Sequence, residues 1–438
     1  MLVPVTPASP PAAHALNVFQ RLMRHWDTLH PYNAAQVMEL APGVALEPFR
    51  EAWPHLLRSL GLGEFRLEHD RFTVTPLPGG DPRSQAADTL VGSTIASHLS
   101  DGLNRPFDPR TDVPLRAFAA TQSGRGYVGI VYQHWVADSV AIRTVMRQWL
   151  DAAVGRPDPL PAPLRMIDRG YFATVGPAAA RAGWLGSSLH TLRAIASMKR
   201  VRRIRPGLAA DGSSRFRLFD LPNGLAEPLR ARARAQGLTI NDLFVAAAAH
   251  AVLGIAALER PKRRQDLCIG TIVDLRRAAG VSPDRFGMLL GFVHALFRPR
   301  EQADFASLCS ALARRRRCGT QGTLACSSFL RIAIGLMIAG RCTPERQREF
   351  YRKRMPMAAG VSNVNLNRDF PDGRPPREIV RYFRVSPTGP MLPMVFTPST
   401  FADTMNVGVT YRPGVVSDAE IAAVAGRFRD TLVAYARG

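Results

Sequence analysis

The chain has almost no lysine. Of 57 basic residues among 438, only Lys199, Lys262 and Lys353 are lysine, and all the others are arginine. So one-sided a ratio, beside abundant Ala, Gly and Pro, is in part the mark of GC-rich coding. The net charge of +22 therefore does not single out nucleic acid, and neither a known reader motif nor regular aromatic interleaving of the basic runs accompanies it. Cysteine is also scarce. Cys268, Cys309, Cys318, Cys326 and Cys342 form no CxxC pair, which excludes a zinc spacing and a disulfide scaffold; an odd count suits a reducing compartment. There is no P-loop, no GxGxxG followed by an acidic residue and no HExxH, so nucleotide-fold and zincin chemistry has no support. Long apolar runs are absent except for Leu324–Gly340, which carries Arg331 and lies at the lower length limit for a bilayer span. We expect a buried or interfacial helix there. The first residues lack a basic region ahead of an apolar core, so a secretion signal is not expected. The expected location is cytoplasmic and soluble.

What is present is an ordinary globular composition, 46% hydrophobic and 21% charged, which excludes wholesale disorder. Residues 1–12 are Pro-rich and read as an extended arm. Leu16, Phe19, Leu22, Met23 and Trp26 recur at helical spacing. Helices are further expected at Glu47–Gly61, near Gln85–Leu99, at Val140–Leu150, over 196–207 with a basic tail, at Gly224–Gln236, at Ile240–Leu253 with Thr239 or Asn241 as cap, and at Asp418–Ala436 capped by Ser417. Strands are expected at Gln36–Leu40, Phe65–Val74, Leu115–Thr121, Gly126–Tyr132, Phe216–Asp220, Leu267–Val273 and Phe292–Phe297, then near 361–366, 380–385, 392–397 and 405–411. The Pro-rich 155–164 stretch is the best linker. The expected division is an arm (1–12), a first lobe (13–154), a linker and connecting helix (155–212) and a second lobe (213–438).

The chemically informative segment is Gln133-His134-Trp135-Val136-Ala137-Asp138-Ser139. An apolar strand delivers a histidine where the chain leaves the sheet, and an aspartate follows four residues later, just before an amphipathic helix. A neutral imidazole titrating near pH 6.5 suits a general base. The plainer reading of the same residues is a buried histidine and an aspartate at a helix N-terminus.

This segment resembles the HHxxxDG motif of the condensation-domain and chloramphenicol acetyltransferase-like acyltransferases. Other landmarks follow in the family's order: RPFDPRTDVPLRA (105–117), GLTINDLFVAAAAHAVL (237–253), IGTIVDLRR (269–277) followed by RFGMLLGFVHALF (285–297), VSNVNLN (361–367) and the closing strand and helix from Met405. The resemblance spans residues 15–436. It implies an α/β, mixed α+β fold of two acetyltransferase-like lobes arranged as a V-shaped pseudo-dimer around a tunnel. It implies His134 as the base that deprotonates an alcohol or amine attacking an acyl thioester. Asp138 is implied to be structural and paired with Arg276, with Arg277 as neighbour. Gln133 stands for the first motif histidine, Ser139 for the motif glycine and Met288 for an asparagine of a later landmark. Gln133, Trp135, Ser139, Ser362, Asn363 and His294 are the substrate-binding candidates. Cys318 follows four arginines, which lower a thiol pKa, but has no histidine partner in view.

No metal and no permanently bound cofactor are implied. The donor is an acyl-CoA or a phosphopantetheine-linked thioester, met in trans. The implied partners are an acidic acyl or peptidyl carrier protein, which the positive field attracts, and a small-molecule acceptor. Nucleic acid is excluded, and peripheral membrane contact through 324–340 is the disfavoured alternative. A catalytically degenerate module that recruits a carrier or partner enzyme is the competing reading, because two motif positions differ.

Overall fold

The computed structural model describes residues 12–108, 111–156, 163–167, 171–181, 196–205, 212–317, 325, 328–370, 373–389 and 392–438. Most of the expected arm, the centre of the Pro-rich linker and Cys318 lie outside them.

The fold is mixed α and β, with two principal sheets. The first has the order β12 (Ile379–Val385), β2 (Asn33–Leu40), β6 (Arg125–Gln133), β5 (Leu115–Gln122), all antiparallel. The second runs β7 (Arg215–Asp220), β14 (Thr404–Tyr411), β13 (Met394–Phe401), β10 (Ala359–Val361), β8 (Leu267–Asp274), β9 (Leu290–Phe297), with β11 (Val364–Asn365) paired to β13. A small sheet joins β1 (Ala13–Ala15), β4 (Arg71–Pro76) and β3 (Gly63–Glu68).

Local sequence explains most elements. Asn17 and Gln20 form a capping box that starts the helix Val18–Asp27, whose apolar face is buried. Thr239 and Asp242 do the same for Ile240–Val252. That helix is buried nearly all round and packs on the terminal helix Asp418–Arg437, itself opened by Ser417 and Glu420.

Three expectations need correction. The segment near Gln85–Leu99 is not a helix at its start: Ala87 bridges to Phe118, and the helix is Ile95–Asn104, because Thr94 and Ser97 form its capping box. Phe65–Val74 is not one strand but the hairpin β3–β4, turning at His69, whose φ is 55°. The helix expected over 196–207 is cut short: Ala196 and Ser197 are helical and run into the 3-10 turn Met198–Arg200, after which Val201 and Ile204 bridge to Asp266 and Leu258.

Strand β12 belongs late in the chain but pairs with β2, so it fastens one sheet to the other. Thr397 Oγ1 donates to the Arg384 carbonyl at 2.8 Å and Asn406 Nδ2 to the Tyr382 carbonyl at 2.9 Å. Arg381 bridges Glu39 at 2.7 Å and Asp220 at 2.9 Å. The approach leaves no room at Gly408: a Cβ there would lie 2.6 Å from the Arg384 carbonyl oxygen and 2.5 Å from Thr397 Oγ1. Gly408→Ala is therefore expected to lower stability by about 1–3 kcal/mol through overpacking, read as a lower urea midpoint. An unchanged midpoint would show that β12 yields freely.

Candidate active site

Strand β6 ends at Gln133, and the His134 amide donates to the Tyr32 carbonyl at 3.0 Å. The chain then turns through Trp135, Val136 and Ala137 into the helix Ser139–Ala153. Asp138 is its N-cap. One carboxylate oxygen accepts from the amides of Val140 and Ala141, both at 3.1 Å. The other accepts from Arg276 Nη1 at 2.6 Å and from the Leu289 amide at 2.9 Å. Both members of this ion pair are buried, Asp138 at 0% and Arg276 at 2% exposure. Arg277, by contrast, is exposed. Burial alone would raise the Asp138 pKa, but Arg276 and the amide donors together hold it below the ordinary carboxylate value. The Asp138 amide donates to the Gly287 carbonyl at 3.0 Å, and Asn17 Nδ2 donates to the Met288 carbonyl at 2.8 Å. The motif loop is thus bolted to the 285–289 segment.

The imidazole of His134 is oriented by this loop. Its Nδ1 lies 3.1 Å from the Ala137 carbonyl. A carbonyl only accepts, so Nδ1 carries the proton and Nε2 keeps its lone pair. The ring stacks on Tyr32 with centroids 5.8 Å apart and meets Tyr132 edge-on at 5.7 Å. It lines a cavity whose walls come from β2, β6 and β12 of one sheet and from β8, β9, β10 and β13 of the other. About 1120 Å³ there is free of protein atoms, part of it open to solvent. The lining is largely apolar and, among the described residues, contains no Asp or Glu. Desolvation pushes the His134 pKa below 6.5, against smaller opposing effects of Ala137 and Asp138. The ring is therefore neutral at pH 7, which is the form a base requires.

The remaining candidates separate clearly. Ser139 and Ser362 line the cavity with His134. Gln133, Trp135, Asn363 and His294 are not among the lining residues. Gln133 is buried, and its Nε2 donates to Asp27 at 2.6 Å while the other Asp27 oxygen accepts from the Tyr32 amide at 2.7 Å. It therefore positions the tyrosine that supports the imidazole. Trp135 points into the aromatic cluster of Phe65 and Phe72. His294 sits on β9 against Phe292, its Nε2 without a hydrogen bond and its pKa pushed down to about 3 by burial and then Arg331. Sequence reading missed Tyr32, Gln36, Tyr132, Arg331 and Arg384, all of which line the cavity. The strand that carries Arg384 also carries Arg381 among apolar residues, so the sequence alone did not say which of the two arginines turns inward. No cluster of His, Cys, Asp or Glu among the described residues is placed to hold a metal.

Over its whole length the chain superposes on a part of the nonribosomal peptide synthetase FmoA3 with a TM-score of 0.65 at 18% identity. This is the condensation-domain fold. The condensation domain of the monacolin K polyketide synthase MokA shares it at TM-score 0.64 and 12% identity, with 98% of each chain covered. So does the trichothecene 15-O-acetyltransferase TRI3 of Fusarium sporotrichioides, at TM-score 0.67 and 13% identity, covering 99% of this chain and all of that one. The chain spans 44% of the length of FmoA3. No family model and no curated protein matches this condensation-fold chain by sequence.

Proposed function

We propose that the protein is an acyltransferase that moves an acyl group from a CoA or carrier-protein thioester to an alcohol or amine, with His134 as general base. The carrying observation is the tautomer of His134 set by its Nδ1 contact, with no hydrogen-bond partner for Nε2 among the described residues and with the ring lining the cavity. Nε2 takes the proton of the acceptor hydroxyl or amine as its oxygen or nitrogen attacks the thioester carbonyl. The Ala137 carbonyl steadies the imidazolium that results. Collapse of the tetrahedral intermediate breaks the C–S bond, and Nε2–H returns the proton to the leaving thiolate. Orientation in the cavity supplies a further large share of the acceleration. In this reading the two sheets belong to two acetyltransferase-like lobes set in a V. The positive charge speeds encounter with an acidic carrier protein, in the cytoplasm, for secondary-metabolite or lipid biosynthesis.

The test is intact-mass detection of acyl transfer using carrier proteins and acyl-CoAs of the source organism with candidate acceptors. Product formation supports the reading, and a chain that only binds a carrier supports the recruiting module. The pH profile adds a second check. Because the His134 pKa is depressed, kcat/KM is expected to stay level from neutral pH down past 6.5 and to fall only at more acidic pH. An acidic limb centred above 6.5 would assign the proton transfer to another group.

One observation favours a membrane-associated variant of this activity. The helix Ser328–Ala339 exposes Ile334, Met337 and Ile338 at 45%, 63% and 51%. No helix of the described residues is long and apolar enough to cross a membrane. Flotation with anionic vesicles, compared between wild type and Met337→Glu, distinguishes a lipid-contacting face from a merely exposed one.

A further inference from the structure

Strand β12 carries Arg384 into the wall of the cavity that holds His134. The side chain is 2% exposed, and among the described residues every hydrogen-bond partner it has is neutral. Its Nε donates to Ser399 Oγ at 3.3 Å, Nη1 to Ser139 Oγ at 3.2 Å and Ser362 Oγ at 3.5 Å, and Nη2 to the carbonyls of Ser362 and of Pro398, the latter at 3.3 Å. Asp369, the carboxylate that acts on it electrostatically, is already paired with Arg143 at 2.6 Å. Burial accordingly pushes the Arg384 pKa down to about 9. An ion held in a dry wall without a counter-charge is costly. A protein that keeps one beside a cavity free of acidic lining has a place for a negative group.

The surroundings supply matching donors. Ser139 Oγ lies 3.2 Å from Gln36 Nε2, 3.1 Å from Arg143 Nη1 and 3.2 Å from Arg384 Nη1, and its two lone pairs accept from two of these donors at a time. None of these contacts uses the hydroxyl proton, so the serine can donate into the cavity. This is the position where the resembling motif has glycine, which has no hydroxyl to donate. Ser362 Oγ also accepts from Arg384. Arg331 adds a second cationic side chain to the lining, and the rest is mostly apolar.

We propose that Arg384, with Ser139 and Ser362, binds a carboxylate of the substrate, so that the molecule acylated or transferred at His134 is an organic acid with an apolar body. The inference rests on the acyltransferase reading for its place in the reaction, but not for its binding test. A carboxylate fits the planar fork of the guanidinium, and the charge-assisted bonds it gains replace contacts to neutral oxygens. The carboxylate belongs to the acceptor or to the acyl group. Two matched pairs tell these apart.

Calorimetric titration of the full chain is to compare β-hydroxydecanoate with its methyl ester, and succinyl-CoA with butyryl-CoA. In one of the pairs the acid is expected to bind about tenfold tighter than its neutral partner, the scale of a single charge-assisted contact. Arg384→Gln is expected to erase that preference and leave the neutral ligand's affinity unchanged. Arg384 is buried, so this variant needs a normal melting curve. If it unfolds, Ser139→Gly replaces it and is expected to reduce the preference. Equal binding within both pairs, absence of binding by either acid, or a preference that survives the substitution would overturn the proposal. Acid preference without acyl transfer in the mass assay would sink the acyltransferase reading alone. Transfer without acid preference would sink this inference alone.

Discussion

His134→Ala is expected to abolish product formation and leave the fold standing. A positioned base contributes about 10²–10⁴ in rate, so kcat should fall by at least that range while thermal melting moves by only a few degrees. The structural reason is that the ring carries little of the architecture. It stacks on Tyr32 and meets Tyr132 at its edge, and its side-chain hydrogen bond is to a carbonyl three residues away. The bolts that hold the loop are elsewhere, in Asp138, Arg276 and the Leu289 amide. His134→Gln supplies the control. It preserves polarity without a group that accepts a proton at neutral pH, so it should be as inactive as alanine. Wild-type turnover in either variant, measured with substrates that the wild type acylates, would remove His134 from the chemistry. Acceptor binding should survive both substitutions, which separates lost catalysis from lost affinity.

Much of this site was legible because its parts lie close together in sequence. The strand into His134, the capping aspartate and the following helix form one continuous segment, and local rules suffice for each. Arg276 was legible through resemblance. The structure adds that it, and not Arg277, is the one turned inward. Gln133 and Trp135 mark the limit of that reasoning. Both flank His134, yet one faces Asp27 and the other an aromatic cluster. Alternation along a strand gives the two faces but does not say which of them meets the cavity. Arg384 was out of reach for another reason. It lies 245 residues from Ser139, on a strand that leaves its neighbours in the chain to pair with β2. Nothing local encodes that crossover. The misplaced helix near 85–99 is simpler: the polar residues before Thr94 admit a helix, and the bridge from Ala87 to Phe118 wins.

Asp138→Ala should fail in a different way from His134→Ala, by loosening the molecule. The carboxylate caps a helix, pairs with Arg276 and accepts from the Leu289 amide. Removing it leaves a guanidinium at 2% exposure whose remaining acidic contact among the described residues is Asp274 at 3.3 Å. The expected loss is about 3–5 kcal/mol, the cost of breaking a buried pair from one side, together with part of the cap. Chemical denaturation measures it. Removing both charges with Asp138→Ala and Arg276→Met should cost less than the sum of the single substitutions, because no charge is then stranded. Full additivity would show that the pair is not coupled. The same pair fixes a pH dependence. The folded-state pKa of Asp138 lies below its unfolded value, so its contribution is complete above the ordinary carboxylate range. As pH falls through the folded pKa the carboxylate takes up a proton and the contribution is lost. Wild type should therefore lose stability in acid more steeply than the double variant, and parallel curves would place the acid sensitivity in other carboxylates. Loss of the pair also frees the loop that orients His134, so under the proposed mechanism the single variant should lose activity in proportion to its unfolding and also through misalignment of an imidazole that is still present.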